Sequence, residues 1–216
     1  MTKLERLEKF NAIDLYPVTC EKLSAGRTNI DILHGVIDGG AKIIQLREKD
    51  ITKRELFELA LKFRQITKES GLLLIINDHV DIALSVSADG VHLGQDDLPL
   101  SAARAIAPDL IIGVSSHNEE EAIRAEADGA DYVNVGPIFP TQTKDNVPEF
   151  LGPASIPRIS GKINIPFTVM GGINIDNIDE VLNAGAKRVA VVSAVTKSDD
   201  ISGAVKALRR RIESAC

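Results

Sequence analysis

The stretch Thr52-Lys-Arg-Glu55-Leu56-Phe-Glu-Leu59-Ala-Leu-Lys-Phe63-Arg-Gln-Ile66-Thr-Lys-Glu-Ser-Gly71-Leu72-Leu-Leu-Ile-Ile76-Asn77-Asp78 holds one complete unit of the fold. Leu56, Leu59, Phe63 and Ile66 fall on one face of a helix, because residues three and four apart lie over one another. Thr52 with Glu55 three residues later forms a capping box that satisfies exposed amides at the helix start. Gly71 supplies the stop. Leu72–Ile76 is then apolar without alternation, as in a parallel strand buried on both faces, and polar Asn77 and Asp78 follow at its end.

The same arrangement recurs along the chain. Ile13–Thr19, Ile43–Leu46, Leu72–Ile76, Gly90–Leu93, Leu110–Val114, Tyr132–Val135, Phe167–Met170 and Arg188–Val192 make eight short apolar runs separated by longer amphipathic segments. Ile201, Val205, Leu208 and Ile212 mark the apolar face of the last segment, Ser116 and Glu119 read as a second capping box, and Gly39 and Gly129 as further stops. Strict alternation implies a parallel sheet with right-handed crossovers. Eight units predict a closed (β/α)8 TIM barrel, one α/β domain over 1–216 with a short N-terminal helical extension at 1–12. The competing doubly wound open sheet carries a glycine-rich fingerprint after its first strand, where this chain has Cys20-Glu-Lys-Leu-Ser-Ala-Gly-Arg27.

Composition narrows the function classes. At 44% hydrophobic and 26% charged the chain has the make-up of an ordinary globular domain. Twenty-five Lys and Arg against thirty-one Asp and Glu give a net charge of −6, which argues against nucleic acid or an anionic membrane as partner. Cys20 and Cys216 have neither metal nor disulfide spacing, and the N-terminal segment lacks the apolar core of a signal peptide. A cytoplasmic protein acting on small molecules is expected, with room left for a homo-oligomer.

Barrels bind ligands at the C-terminal ends of their strands, so the residues closing each run are the informative ones. They are Gln45, Arg47 and Lys49; Asn77 and Asp78; Gln95, Asp96 and Asp97; and Ser115, Ser116 and His117. The sixth connection, Pro137–Pro153, is long and proline-punctuated, carries Thr141, Thr143 and Lys144, and reads as an active-site lid. Gly171-Gly172 after the seventh run and Val192-Ser193 after the eighth stand where barrels build a phosphate cup from backbone amides. Asp78 and Asp97 end neighbouring strands about 4.8 Å apart, close enough to share one hard cation. Mg²⁺ fits, because one or two carboxylates suffice when phosphate and water complete the octahedron. A helix N-cap is the alternative role for Asp78.

Other residues have plainer readings. His92, inside a strand, and His34, in the first βα helix, are expected to be hydrogen-bonded packing groups. Arg209-Arg210-Arg211 reads as a solvated face at a helix C-terminus. Lys42 enters a strand at the end opposite the rim, which disfavours a Schiff-base role.

Five motifs, Gly39-Gly-Ala-Lys-Ile-Ile-Gln-Leu-Arg-Glu-Lys49, Asn77-Asp-His-Val-Asp-Ile-Ala83, Ala88-Asp-Gly-Val-His-Leu-Gly-Gln-Asp-Asp-Leu-Pro99, Gly136-Pro-Ile-Phe-Pro-Thr-Gln-Thr-Lys144 and Gly171-Gly-Ile173, stand in order along the chain. Together the sequence resembles the thiamine-phosphate synthase family. The resemblance implies that 4-amino-5-hydroxymethyl-2-methylpyrimidine diphosphate loses pyrophosphate, and that the nitrogen of 4-methyl-5-(2-hydroxyethyl)thiazole phosphate, or of its carboxylated form, captures the pyrimidine-methyl cation. It implies that Gln45, Arg47, Lys49 and Asn77 hold the pyrimidine diphosphate and that Ser115 and Lys144 hold diphosphate oxygens. Arg47, Lys49, Ser115 and Lys144 would carry catalysis, and Asp78 and Asp97 would hold Mg²⁺. Thr141, Thr143, Gly172, Val192 and Ser193 would hold the thiazole phosphate. The chain departs from the family pattern at Tyr16-Pro-Val-Thr-Cys20, where an acidic residue often stands, and at His79, where arginine is common. Two other classes stay open: a similar thiazole tautomerase barrel with His117 as the acid–base group, and a non-catalytic barrel that binds a phosphorylated metabolite.

Overall fold

The computed structural model describes residues 1–141 and 150–215. Its eight strands are β1 Leu15–Pro17, β2 Ile43–Leu46, β3 Leu73–Asn77, β4 Gly90–Leu93, β5 Ile111–Ser116, β6 Tyr132–Val135, β7 Phe167–Val169 and β8 Val189–Val191. All pair in parallel in the order β1-β8-β7-β6-β5-β4-β3-β2. A parallel bridge between Val18 and Gln45 joins the two ends, so the expected TIM-type barrel is present. The first strand is shorter than the run Ile13–Thr19 and ends at Pro17, which has no N–H to give the ladder. Pairing continues beyond it, Val18 N–H donating to Val191 O at 2.9 Å and Thr19 N–H to Gln45 O at 2.9 Å.

Side-chain alternation splits the sheet into two packed layers. Leu15, Ile44, Leu46, Leu74, Ile76, Val91, Ile112, Val133 and Val189 meet the surrounding helices. Tyr16, Ile43, Leu73, Ile75, Ile111, Tyr132 and Ala190 form a separate cluster inside the barrel. The outer layer includes α2 (Asn29–Asp38), α3 (Lys53–Ser70), α6 (Glu119–Ala127) and α10 (Ile201–Ala215). Helix α3 begins with the Thr52–Glu55 capping box and ends at left-handed Gly71, as its sequence predicts. Helix α10 buries the predicted face of Ile201, Val205, Leu208 and Ile212. It packs closely on α2, where a Cβ on Gly35 or Gly39 would stand 2.6 Å from Ile201 or 2.5 Å from Val205.

The N-terminal helix α1 (Lys3–Asn11), capped by Thr2 and Glu5, closes the barrel floor. Its Phe10 is fully buried and stacks on Tyr132 at 4.2 Å, while Lys3 pairs with Asp131 at 2.8 Å. Among the described residues no helix is long and apolar enough to cross a membrane.

Three local expectations are corrected. Ser116 is not a cap: it is a buried β5 residue, and the N-cap of α6 is Asn118, whose side chain accepts from Glu121 N at 2.8 Å. His34 lies exposed on α2 instead of packed. Within the basic run, Arg210 and Arg211 are exposed as expected, but Arg209 is not solvated and pairs with Asp14 at 2.8 Å and with Glu213 at 3.1 Å. Lys42 keeps the role expected at a strand entry, its Nζ donating to Ala12 O at 2.9 Å.

Candidate active site

A cavity of about 350 Å³ opens at the C-terminal ends of the strands. It gathers Gln45, Arg47, Lys49, Asn77, Asp78, Asp97, Ser115, Thr141, Gly172, Val192 and Ser193, which is every predicted site residue within the described part of the chain. Thr143 and Lys144, with residues 142–149 of the predicted lid, lie outside the described residues.

The end of β2 shows how alternation builds this wall. Gln45 is buried and its Nε2 donates to Tyr16 Oη at 3.0 Å, while Arg47 N–H donates to Thr19 Oγ1 at 2.9 Å. Glu48 stands between two cavity-lining cations but is turned away, accepting from Glu21 N–H at 2.8 Å; burial pushes its carboxyl up. Arg47 and Lys49 are therefore left to serve the cavity without a carboxylate of their own segment.

Asp78, at φ +60°, leaves β3 with its N–H bonded to His92 O at 2.8 Å. Its carboxylate is mostly buried and takes a short hydrogen bond from Lys49. The N-cap of the following helix α4 (Val80–Ser85) is His79, so Asp78 does not have the capping role. Asp97 is folded back by Gly94 N–H, which donates to its Oδ2 at 2.7 Å. Burial first, and then hydrogen bonding to Asp78, hold the Asp97 carboxyl above the usual carboxylate range. Neighbouring Asp96 is exposed, so Asp97 alone is paired with Asp78. Among the described residues no cluster of three or more metal-ligating side chains exists; Asp78 and Asp97 are the carboxylates that could serve a hard cation whose other ligands are phosphate and water.

The opposite wall is made by backbone. Gly171 and Gly172 have φ of +106° and +64°, and an added Cβ would stand 2.4 Å from Pro137 Cβ or from Pro140 O. Only glycine fits both demands. Asn177 Nδ2 donates to Gly172 O at 3.0 Å, fixing the turn, and Phe139 N–H donates to Gly171 O at 3.0 Å, tying the sixth connection to it. Val192 and Ser193 close this wall at the start of the short helix α9 (Ser193–Thr196).

Beneath the cavity lies a buried polar layer that the motif reading missed. Tyr16 Oη lies 3.0 Å from Tyr132 Oη, which lies 3.0 Å from His92 Nδ1, and His92 Nε2 lies 3.0 Å from Ser115 Oγ. Thr168 donates to Asn134 Oδ1 at 2.6 Å. The signal was a polar residue at every second position of otherwise apolar runs, as in Gly90-Val-His92-Leu and Tyr132-Val-Asn134-Val. His92 is hydrogen-bonded and buried as expected. His117 reaches the cavity rim with its Nδ1 2.9 Å from Glu121 Oε2.

The family model described as thiamine monophosphate synthase matches residues 15–195. The chain belongs to that family. It is 44% identical over 209 residues to the thiamine-phosphate synthase of Caldicellulosiruptor saccharolyticus, covering 96% of this chain and 95% of that one. It is 50% identical over 191 residues to the enzyme of the same name from Methanospirillum hungatei, covering 88% and 93%. A solved thiamine phosphate pyrophosphorylase from Pyrococcus furiosus superposes with a TM-score of 0.87 at 39% identity, covering 94% and 96%. The protein is thus a transferase of the thiamine-phosphate synthase type, an enzyme of thiamine biosynthesis acting on small phosphorylated substrates.

Proposed function

We propose that the cavity joins 4-amino-5-hydroxymethyl-2-methylpyrimidine diphosphate to 4-methyl-5-(2-hydroxyethyl)thiazole phosphate, or its carboxylated form, by a dissociative step assisted by Mg²⁺. The observation that carries this reading is the meeting of Arg47, Lys49 and the Asp78–Asp97 pair on one wall. Diphosphate departure gains most from positive charge placed where negative charge develops.

The bond from the pyrimidine methylene carbon to the diphosphate oxygen breaks, and its electron pair leaves on oxygen. The thiazole nitrogen then gives its lone pair to the methylene carbon; with the carboxylated form the ring carbon–carboxylate bond also breaks, CO2 leaves, and the electron pair kept by the ring carbon takes up a proton from water. That nitrogen carries no proton, so the step calls for no general base. Gln45 and Asn77 orient the pyrimidine; Arg47, Lys49 and Ser115 hold the diphosphate, with Lys144 proposed to join them. Gly172, Val192 and Ser193 seat the thiazole phosphate on backbone N–H groups, with Thr141 and Thr143 beside them. Asp78 and Asp97 fit Mg²⁺, because two adjacent carboxylates that repel one another are relieved by a hard cation. Mg²⁺ when bound would neutralise diphosphate oxygens. The cytoplasm is the proposed compartment, in keeping with cysteines that lack disulfide spacing.

The test is incubation of the purified protein with both precursors and Mg²⁺, followed by chromatography for thiamine phosphate and an assay for pyrophosphate. Both products are expected in equal amounts. Calorimetric binding of either precursor with no turnover would leave a metabolite-binding barrel and overturn the proposal.

A further inference from the structure

The buried layer beneath the cavity has a direction. Four hydrogen bonds of 3.0 Å link Gln45 Nε2, Tyr16 Oη, Tyr132 Oη, His92 and Ser115 Oγ in an unbroken chain across the barrel. Gln45, Tyr16, Tyr132 and His92 are exposed by 3%, 1%, 0% and 6%. A hydroxyl has one proton and an amide nitrogen only donates, so each bond constrains the next.

Tyr16 Oη accepts from Gln45 and, among the described residues, has only Tyr132 left as a partner for its proton. Reversing the Tyr16–Tyr132 bond would strand that proton in a buried site, which is costly. Tyr16 therefore donates to Tyr132, and Tyr132 donates to His92 Nδ1. His92 is left as the neutral tautomer with its proton on Nε2, donating to Ser115 Oγ. The proton of Ser115 itself then remains for an acceptor in the cavity. Burial raises both tyrosine hydroxyls far above their ordinary range, so they keep the protons this order requires. Tyr132 is held over Gly113, where an added Cβ would stand 2.0 Å from its ring.

We propose that Tyr16, Tyr132 and His92 are positioning residues that fix His92 as its Nε2–H tautomer and so hold Ser115 as a hydrogen-bond donor toward an anionic oxygen in the cavity. This rests on the reading of Ser115 as a diphosphate ligand. Flipping the Gln45 amide would reverse every bond and spend the Ser115 proton on His92. A ligand that donates to Gln45 Oε1 therefore selects the orientation in which Ser115 is free to donate.

Long-range ¹H–¹⁵N correlation on the intact ¹⁵N-histidine-labelled protein reads the tautomer directly, with His92→Gln assigning its signals among the four histidines. Wild type is expected to show a protonated Nε2 and an unprotonated Nδ1. Tyr132→Phe keeps the ring and removes the donor; it should release the tautomer and slow single-turnover chemistry on the order of 10-fold. Ser115→Ala in the Tyr132→Phe background should add little further loss. Tyr16→Phe should move the His92 signals the same way, from two residues away. A protonated Nδ1 in wild type, an unmoved tautomer in Tyr132→Phe, or rate losses that multiply would each overturn the proposal. The spectrum needs no substrate, so it can fail while thiamine phosphate synthesis stands, and synthesis can fail while the tautomer stands.

Discussion

The ring of Phe10 stacks on Tyr132 at 4.2 Å with 30° between the planes, so a helix outside the barrel is packed directly against the hydroxyl-bearing ring beneath the active site. Tyr132 meets Phe10 on one side and stands 3.0 Å from His92 on the other. The N-terminal extension is therefore the floor of the catalytic barrel.

Phe10→Ala is expected to cost about 3–5 kcal/mol, the range for deleting a buried aromatic ring. Urea unfolding followed by circular dichroism measures it. A loss under about 0.5 kcal/mol, the range of surface substitutions, would show that the floor closes without this ring.

The Asp78–Asp97 pair makes a pH prediction with a definite sign. The Asp97 carboxyl lies above its ordinary 3.8 in the folded protein, so its stabilising contribution is complete below the unfolded value and is lost as pH rises through the folded one. Asp97→Asn should therefore melt higher than wild type in EDTA at neutral pH, with the gap closing toward pH of about 4. Saturating Mg²⁺ should raise the wild-type melting temperature and leave Asp97→Asn nearly unmoved. Equal melting curves in EDTA at neutral pH would mean that burial and the neighbouring Asp78 do not hold the Asp97 carboxyl above its ordinary range.

Local signals and long-range ones differed in legibility. The Thr52–Glu55 cap and Gly71 stop of α3 depend on residues within one helix, and the structure has both. Ser116 and Glu119 have the same spacing, but Ser116 O accepts from Gly136 N–H at 3.1 Å, so strand pairing keeps Ser116 in β5 and the cap moves to Asn118. The cavity residues were readable because barrel strands all deliver their C-terminal ends to one rim. The Tyr16–Tyr132–His92 layer was not, because it depends on register: His92 lies beside Gly113, and Gly113 beside Tyr132, only once β4, β5 and β6 are paired.

Turnover is expected to stop in excess EDTA and return with Mg²⁺, and Asp78→Ala should lower kcat on the order of 10²-fold or more, the scale for losing one preorganised electrostatic group. Because Asp78 also accepts from Lys49, Lys49→Ala is expected to lower kcat as well, without abolishing the metal requirement. Pyrophosphate release measured across a chelator titration checks both. Full turnover in excess chelator would remove the metal from the proposed mechanism.

The glycine-lined wall should answer to one substrate and not the other. Ser193→Asp places a carboxylate where the thiazole phosphate is proposed to sit, and like charges at close range repel strongly in a partly buried cavity. The apparent KM for thiazole phosphate should rise at least on the order of 10-fold, while that for the pyrimidine diphosphate moves less. Gly172→Ala should do the same by another route, since its φ of +64° and the 2.4 Å approach to Pro140 O force the turn to move. Steady-state kinetics with each substrate varied in turn separates the two walls. Equal damage to both KM values in both variants would mean that one shared phosphate site, not a dedicated cup after β7 and β8, serves the two substrates.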